Sequence, residues 1–261
     1  REIAARPLVY DEHTLCLAKK YDAEVFVKIN TGMNRLGFST IGETASAVKN
    51  LRVLGVFTHL SSADGDDATD RRITEAQIKN FMEAELVVKN EKDVPFYAEN
   101  SAALIKYGRF FDGARIGIAL YGVNPVPGDK TPLLPVMTFR AAVIAINTVK
   151  KGDFIGYSRG YRAKKDMRVA IISTGYADGL PRALSNKGMI FCNGQFLKIV
   201  GKVSMDSVAV DAGDADVKIM DEVVVFGDEI KVTDVANRAD TLPYEILTGV
   251  SERVKRVYKN P

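Results

Sequence analysis

The chain has 261 residues, 46% hydrophobic and 26% charged, with a formal net charge of +3 at pH 7. That is enough for one large or two ordinary domains of globular composition, and so small and dispersed a positive charge argues against nucleic-acid or membrane-surface binding. No apolar run approaches the ~20 residues of a membrane span, and no signal-peptide pattern opens the sequence; Cys16, Cys192, His13 and His59 have no metal-type spacing, so a reducing, cytoplasmic setting without a metal site is expected.

Strand-like and helix-like patterns alternate over the first ~120 residues, as a parallel α/β fold requires. Residues 7–10 form a short apolar run, and Asp11 is placed to cap a helix through Lys20. Residues 24–29 predict a buried strand containing a single lysine, Lys28, followed by the turn signal Asn30-Thr31-Gly32 and by Arg35. Buried lysines are rare unless something pairs with them. A helix over 40–50 and an apolar run over 51–58 lead to His59, and Ile73, Ile78, Phe81, Met82 and Leu86 recur at helical spacing. Phe96-Tyr97-Ala98 then leads to Asn100-Ser101 and a short helix ending at Tyr107, and residues 113–117 close the alternating region.

The pattern changes at Asn124-Pro125-Val126-Pro127-Gly128, a linker signal followed by Pro132 and Pro135. Strands are expected over 136–146, 168–173, 203–210 and 222–226, with a hairpin about Asn193-Gly194 between the apolar runs of 189–197. The expected architecture is part of a parallel β/α barrel over residues 1–124 and a β-rich domain over 125–261.

Chemistry in β/α barrels gathers where strands end. Four successive strand exits carry polar residues: Lys28 with Arg35, His59, Asn100-Ser101 and Arg115. Each has a plain alternative, a structural histidine, an N-cap or a buried ion-pair partner, and it is their succession that suggests a site. The amides near Ser101, Gly117 and Ile118 suit a phosphate.

Six ordered motifs carry a resemblance to a known family: VFVKINTGMNRLG at 25–37, FTHLSSAD at 57–64, ARIGIALYG at 114–122, GYADGLPR at 175–182, GKVSMD at 201–206 and LPYEIL at 242–247. The chain resembles the bacterial alanine racemases, which use pyridoxal 5'-phosphate (PLP). The resemblance implies a (β/α)8 TIM barrel, here about strands 4 to 8, followed by a β-rich domain. It implies interconversion of L- and D-alanine by two bases, and a head-to-tail homodimer with shared active sites that feeds D-alanine to peptidoglycan. A serine or broad-specificity racemase of the same family, or an inactive fragment, are the alternatives.

Carried onto this chain, the resemblance implies that Arg115 meets the pyridine nitrogen of PLP and Arg35 its phenolic oxygen and the substrate carboxylate. Lys28 matches a lysine that is often carbamylated, although Asn30 stands where Asp is common. Tyr176 matches a catalytic base, and His59 beside Arg115 would favour its phenolate, since a free tyrosine has a pKa of about 10. Met205 and Asp206 would line the substrate site, with Ser204 where the family often has Cys. Asn100, Ser101, Gly117, Ile118 and Tyr244 would surround the phosphate, and Asp64 the entry corridor. The first barrel strands, with the lysine that holds PLP covalently, have no counterpart here, so the sequence is expected to be part of a longer polypeptide with residue 1 just before the fourth strand.

Overall fold

In a computed structural model, residues 5–259 are described, and the placement of residue 1 against a strand lies outside them. The chain divides into two compact units, Arg1–Leu133 and Leu134–Pro261.

The first unit runs β1 (Leu8–Val9), α1 (Glu12–Lys20), β2 (Glu24–Lys28), α2 (Ile41–Asn50), β3 (Arg52–Phe57), α3 (Ala68–Glu91), β4 (Phe96–Tyr97) and α4 (Ser101–Tyr107), then a 3-10 turn at Ile118–Tyr121. The four strands are parallel in the order β1-β2-β3-β4, an open arc extended at one end by a single parallel bridge between Tyr97 and Gly113. Helix starts follow local chemistry. Asp11 and Thr14 cap α1 reciprocally, Thr40 and Glu43 do the same for α2, and Asp67 accepts the Asp70 amide at 2.8 Å to start α3. The core lies between sheet and helices, with Val25, Val27, Val56, Phe81 and Phe96 fully enclosed. The Phe81 ring sits 5.1 Å from that of Phe96 and 4.8 Å from that of Phe111.

That aromatic cluster decides which face of α3 is buried. Thr74, Gln77, Ile78, Phe81, Ala84 and Val88 point inward, whereas Ile73, Met82 and Leu86, which share the helical spacing, are exposed. Two faces of the helix have apolar periodicity, and the one aligned with Phe96 wins at the cost of burying a glutamine.

The second unit holds β5 (Phe139–Val149), a small hairpin of β6 (Phe154–Ile155) and β7 (Tyr161–Arg162), β8 (Met167–Ile172), β9 (Met189–Cys192), β10 (Gln195–Lys198), β11 (Val208–Asp211) and β12 (Glu222–Phe226). Six strands form one antiparallel sheet in the order β10-β9-β12-β5-β8-β11. Its two edges meet through an Ile199–Val210 bridge and a 2.9 Å bond from the Val200 amide to the Ala209 carbonyl, which leaves little open edge. The Asn193-Gly194 turn has positive φ at both residues, as a two-residue hairpin of the right twist needs. Residues 203–206, expected as strand, form a loop, with the Ser204 amide bonded to the Ser207 carbonyl at 3.0 Å. Two helices near the end, α5 (Val232–Ala239) and α6 (Pro243–Gly249), join the β-rich domain without having been expected; Pro243 opens α6, where its missing N–H costs nothing.

Candidate active site

Parallel pairing aligns the exits of β2, β3 and β4, so side chains distant in sequence converge in the first unit. Lys28 ends β2 and is 4% exposed, its ammonium 6.0 Å from the Phe57 ring centre. Beyond it the chain loops out and returns: the Asn30 amide bonds to the Phe38 carbonyl and the Phe38 amide to the Lys28 carbonyl, both at 2.9 Å. Inside the loop, Asn30 Oδ1 accepts the amides of Gly32 (3.1 Å) and Asn34 (2.9 Å), an arrangement that shapes the turn carrying Arg35.

At the exit of β3, Thr58 Oγ1 donates to the Ile29 carbonyl at 3.0 Å and meets Thr31 Oγ1 at 2.7 Å. His59 follows, half-buried. Arg115 reaches across from the segment beyond β4, its main-chain amide 2.7 Å from the Glu99 carbonyl. Its Nη2 donates to the Thr58 carbonyl at 2.7 Å and meets His59 Nδ1 at 2.8 Å, while its guanidinium carbon lies 4.2 Å from the centre of the Phe57 ring. A guanidinium has no acceptor, so His59 Nδ1 accepts and the imidazole proton sits on Nε2. The Arg115 Nε–H is buried with no partner.

The electrostatics are one-sided. Burial, then Arg35, then Arg115 lower the lysine pKa at Lys28. Burial, followed by Arg115, Arg35 and Lys28, pushes His59 down to about 4. Burial and Arg35 lower Arg115. Among the described residues, no carboxylate forms an ion pair with Lys28, Arg35 or Arg115. Three cations around a neutral imidazole, with one buried donor unused, suit a planar anionic guest bearing an aromatic acceptor nitrogen.

Asn100 caps α4, accepting the Ala103 amide at 3.0 Å, and its Nδ2 donates to the Leu60 carbonyl at 3.0 Å. Ser101 Oγ accepts the amides of Gly117 (3.0 Å) and Ala119 (3.3 Å). The Gly117 amide, expected to be open to a phosphate, is therefore spent on Ser101, and the serine keeps its own hydrogen to donate. Ile118 is buried at the start of the 3-10 turn, and Asp64 is exposed on the loop after β3.

The second unit brings two sequence motifs together. The Tyr176 amide bonds to the Ser204 carbonyl and the Ala177 amide to the Met205 carbonyl, each at 3.0 Å. Gly175 permits this approach, because a Cβ there would lie 2.2 Å from the Met205 oxygen. Tyr176 and Met205 are both about half exposed. Asp206 is held by Arg253 at 2.7 Å, and Arg253 also lies 3.6 Å from Asp178. Tyr244, on α6, is 51% exposed.

Sequence reasoning passed over several residues. Phe57 was noted in the apolar run and the 57–64 motif but given no role under Arg115, and Gln77, 2% exposed on α3, was not singled out. Tyr157 also escaped notice. It is 72% exposed, and Ser158 and Arg159 after it hold φ of 54° and 55°. Left-handed non-glycine residues cost of order 1–3 kcal/mol each and cluster at functional sites; the run of small and polar residues around 156–160 was the available signal.

Comparisons with known proteins follow the two units. Residues 4–125 match the family model "Alanine racemase, N-terminal domain" and residues 136–258 the model "Alanine racemase, C-terminal domain". The sequence is 36% identical to an alanine racemase of Halothermothrix orenii, covering 94% of this chain and 68% of that protein, and 34% identical to that of Aquifex aeolicus, covering 96% and 71%. Among solved structures it is similar to the alanine racemase of Streptomyces coelicolor (TM-score 0.90, 28% identity, 97% of this chain and 72% of that one). It is also similar to that of Bartonella henselae with covalently bound pyridoxal phosphate (TM-score 0.88, 29% identity, 98% and 74%).

Proposed function

The chain belongs to the alanine racemase family of PLP-dependent isomerases, and from that premise we propose a role for each residue of the site. The first unit is the barrel-type domain, its parallel arc part of a TIM barrel, and the second unit the β-rich domain, with the boundary at Leu133 and Leu134 rather than at the expected 124 and 125.

PLP, when bound, supplies an electron sink that acidifies the Cα–H of an amino acid. Arg115 is assigned to its ring nitrogen, and the observation that carries the assignment is the buried Nε–H with no acceptor. A guanidinium does not surrender its proton, so the ring nitrogen keeps its lone pair and the sink stays weak. That favours return of a proton to Cα over loss of the amino nitrogen.

Arg35 holds the phenolic oxygen and the substrate carboxylate. Lys28 is the candidate for carbamylation; burial and the neighbouring arginines lower its pKa, the direction that favours the neutral amine such a reaction needs, and the product places one negative charge beside Arg35 and Arg115. Ser101, with its hydroxyl hydrogen still available, donates to the phosphate beside Asn100, Gly117 and Ile118, and the resemblance adds Tyr244. Met205 and Asp206 are assigned to the substrate pocket and Asp64 to its approach.

The base contributed by the second unit is a phenol, acting in the site of a partner protomer in a head-to-tail homodimer. Tyr176 is the assignment that the resemblance gives. Tyr157 is a second reading, favoured by its exposure and by the strained pair that follows it. His59 Nε2–H is the group that would steady the phenolate. The other base, a lysine in the resemblance, is assigned to no residue here. The product D-alanine would serve peptidoglycan synthesis in the cytoplasm.

The direct test follows L-alanine by chiral chromatography with PLP present, for the unsubstituted enzyme and for Arg35→Ala. Formation of D-alanine, with weaker PLP or alanine binding in the variant, is expected. An Arg35→Ala enzyme with unaltered affinity for both would overturn the assignment.

A further inference from the structure

We infer that Gln77 is a positioning residue that sets the spacing between the Arg35 loop and the His59–Arg115 pair. The inference rests on the site reading above and adds a residue that touches neither cofactor nor substrate in it.

Gln77 lies on the inward face of α3, where an apolar side chain would ordinarily sit. Burying an amide is costly unless every polar atom finds a partner. Here both ends do, and the partners come from two different strand exits. Nε2 donates to the His59 carbonyl at 3.1 Å and to Thr31 Oγ1 at 3.3 Å. Oε1 accepts the Ser61 amide at 2.9 Å and the Ser61 hydroxyl at 3.0 Å. The chain after β2 is thereby tied to the chain after β3 through one planar group.

The tie continues into the site. Thr31 meets Thr58 Oγ1 at 2.7 Å, and the Thr58 carbonyl accepts from the same Arg115 Nη2 that meets His59. One turn further along α3, Asn80 Nδ2 reaches the Thr31 carbonyl at 3.4 Å, so the helix grips that loop twice. Gly32 packs on the amide, where an added Cβ would stand 3.4 Å from Gln77 Cγ. His59 is thus held at two points, its ring by Arg115 and its main chain by Gln77. Fixing both orients Nε2–H, and small misplacements of such groups are expensive in rate.

Histidine side-chain nitrogen NMR provides the test, since the chain has only two histidines and His13 serves as an internal reference. Unsubstituted protein should show His59 as one Nε2–H tautomer down to low pH, with Lys28, Arg35 and Arg115 as the charged groups facing it. In Gln77→Met, which keeps the volume and removes all four bonds, the tautomers should mix and His59 should protonate at higher pH, with His13 unmoved. In the racemisation assay kcat should fall roughly tenfold with KM for alanine little changed. Gln77→Glu, which retains an acceptor for Ser61 and loses both donors, should share the His59 change. If Gln77→Met does not fold, Thr31→Val, which removes one partner and leaves the α3 core intact, carries the comparison. A folded Gln77→Met or Thr31→Val protein whose His59 keeps its single tautomer and its titration overturns the inference. Failure of unsubstituted protein to bind PLP, with the His59 change present, would instead overturn the site reading and leave Gln77 its role.

Discussion

Arg115 Nη2 stands 2.8 Å from Nδ1 of His59, and because a guanidinium can donate but not accept, the contact fixes the neutral imidazole as an Nε2–H tautomer. A protonated imidazole would place a proton on Nδ1 against the guanidinium. The pair therefore disfavours the charged state of His59 and leaves its remaining N–H on Nε2.

That preference has a consequence for acid stability. His59 has an ordinary value of 6.5 and is pushed down to about 4 in the fold. Above the ordinary value both folded and unfolded chains are neutral at this site, and it contributes nothing. Between 6.5 and about 4 the unfolded chain takes up a proton that the folded one refuses, so stability falls as pH drops through this window and levels off below it. Urea midpoints across the window should fall less steeply for His59→Leu than for the unsubstituted chain; parallel slopes would mean that His59 titrates normally.

Arg115→Glu is expected to introduce a carboxyl that can share a proton with the ring nitrogen, raising transamination relative to racemisation by at least tenfold. Pyruvate formed per D-alanine measures the ratio. An unchanged ratio would remove the argument that a non-acidic partner restrains the sink.

Two phenols compete for the role of base. Replacing the correct one by Phe should abolish Cα proton exchange for one enantiomer, a loss of 10²-fold or more, and leave exchange of the other in part. Deuterium incorporation into L- and D-alanine, measured for Tyr176→Phe and Tyr157→Phe, separates them. Equal loss in both directions from both variants would contradict a two-base scheme.

Gly37→Ala should destabilise the Arg35 loop by about 1–3 kcal/mol. Gly37 has φ of 124°, and a Cβ there would lie 2.5 Å from the Asn30 nitrogen. Thermal unfolding with and without PLP checks this: a lowered melting temperature together with weaker cofactor binding is expected, whereas a neutral substitution would show that the loop can relax.

Most of the site was legible because its residues sit at strand exits, where periodicity breaks and polar types stand out. Lys28, Arg35, His59, Asn100, Ser101 and Arg115 were all singled out this way. Gln77 was not, since a glutamine in a helix reads as surface until packing turns it inward. The 203–206 loop was misread as strand because Val203 and Val208 share an apolar pattern, whereas the Ser204 and Met205 carbonyls are taken by the Tyr176 and Ala177 amides, at an approach that Gly175, far away in sequence, permits. α5 and α6 were missed because each is short, and short apolar runs suit either period.

What the sequence determined by itself is local: helix caps at Asp11 and Thr40, the Asn193-Gly194 hairpin, the α/β alternation and the chemical types at each strand end, all set by interactions between residues a few positions apart. What only the tertiary structure decided is where those groups meet and in what charge state. The tautomer of His59, the unused Nε–H of Arg115 and the inward turn of Gln77 arise from the meeting of residues well separated in sequence. Such contacts exist only once parallel pairing has aligned the strand exits, because burial and neighbouring charge are properties of an environment rather than of a residue type.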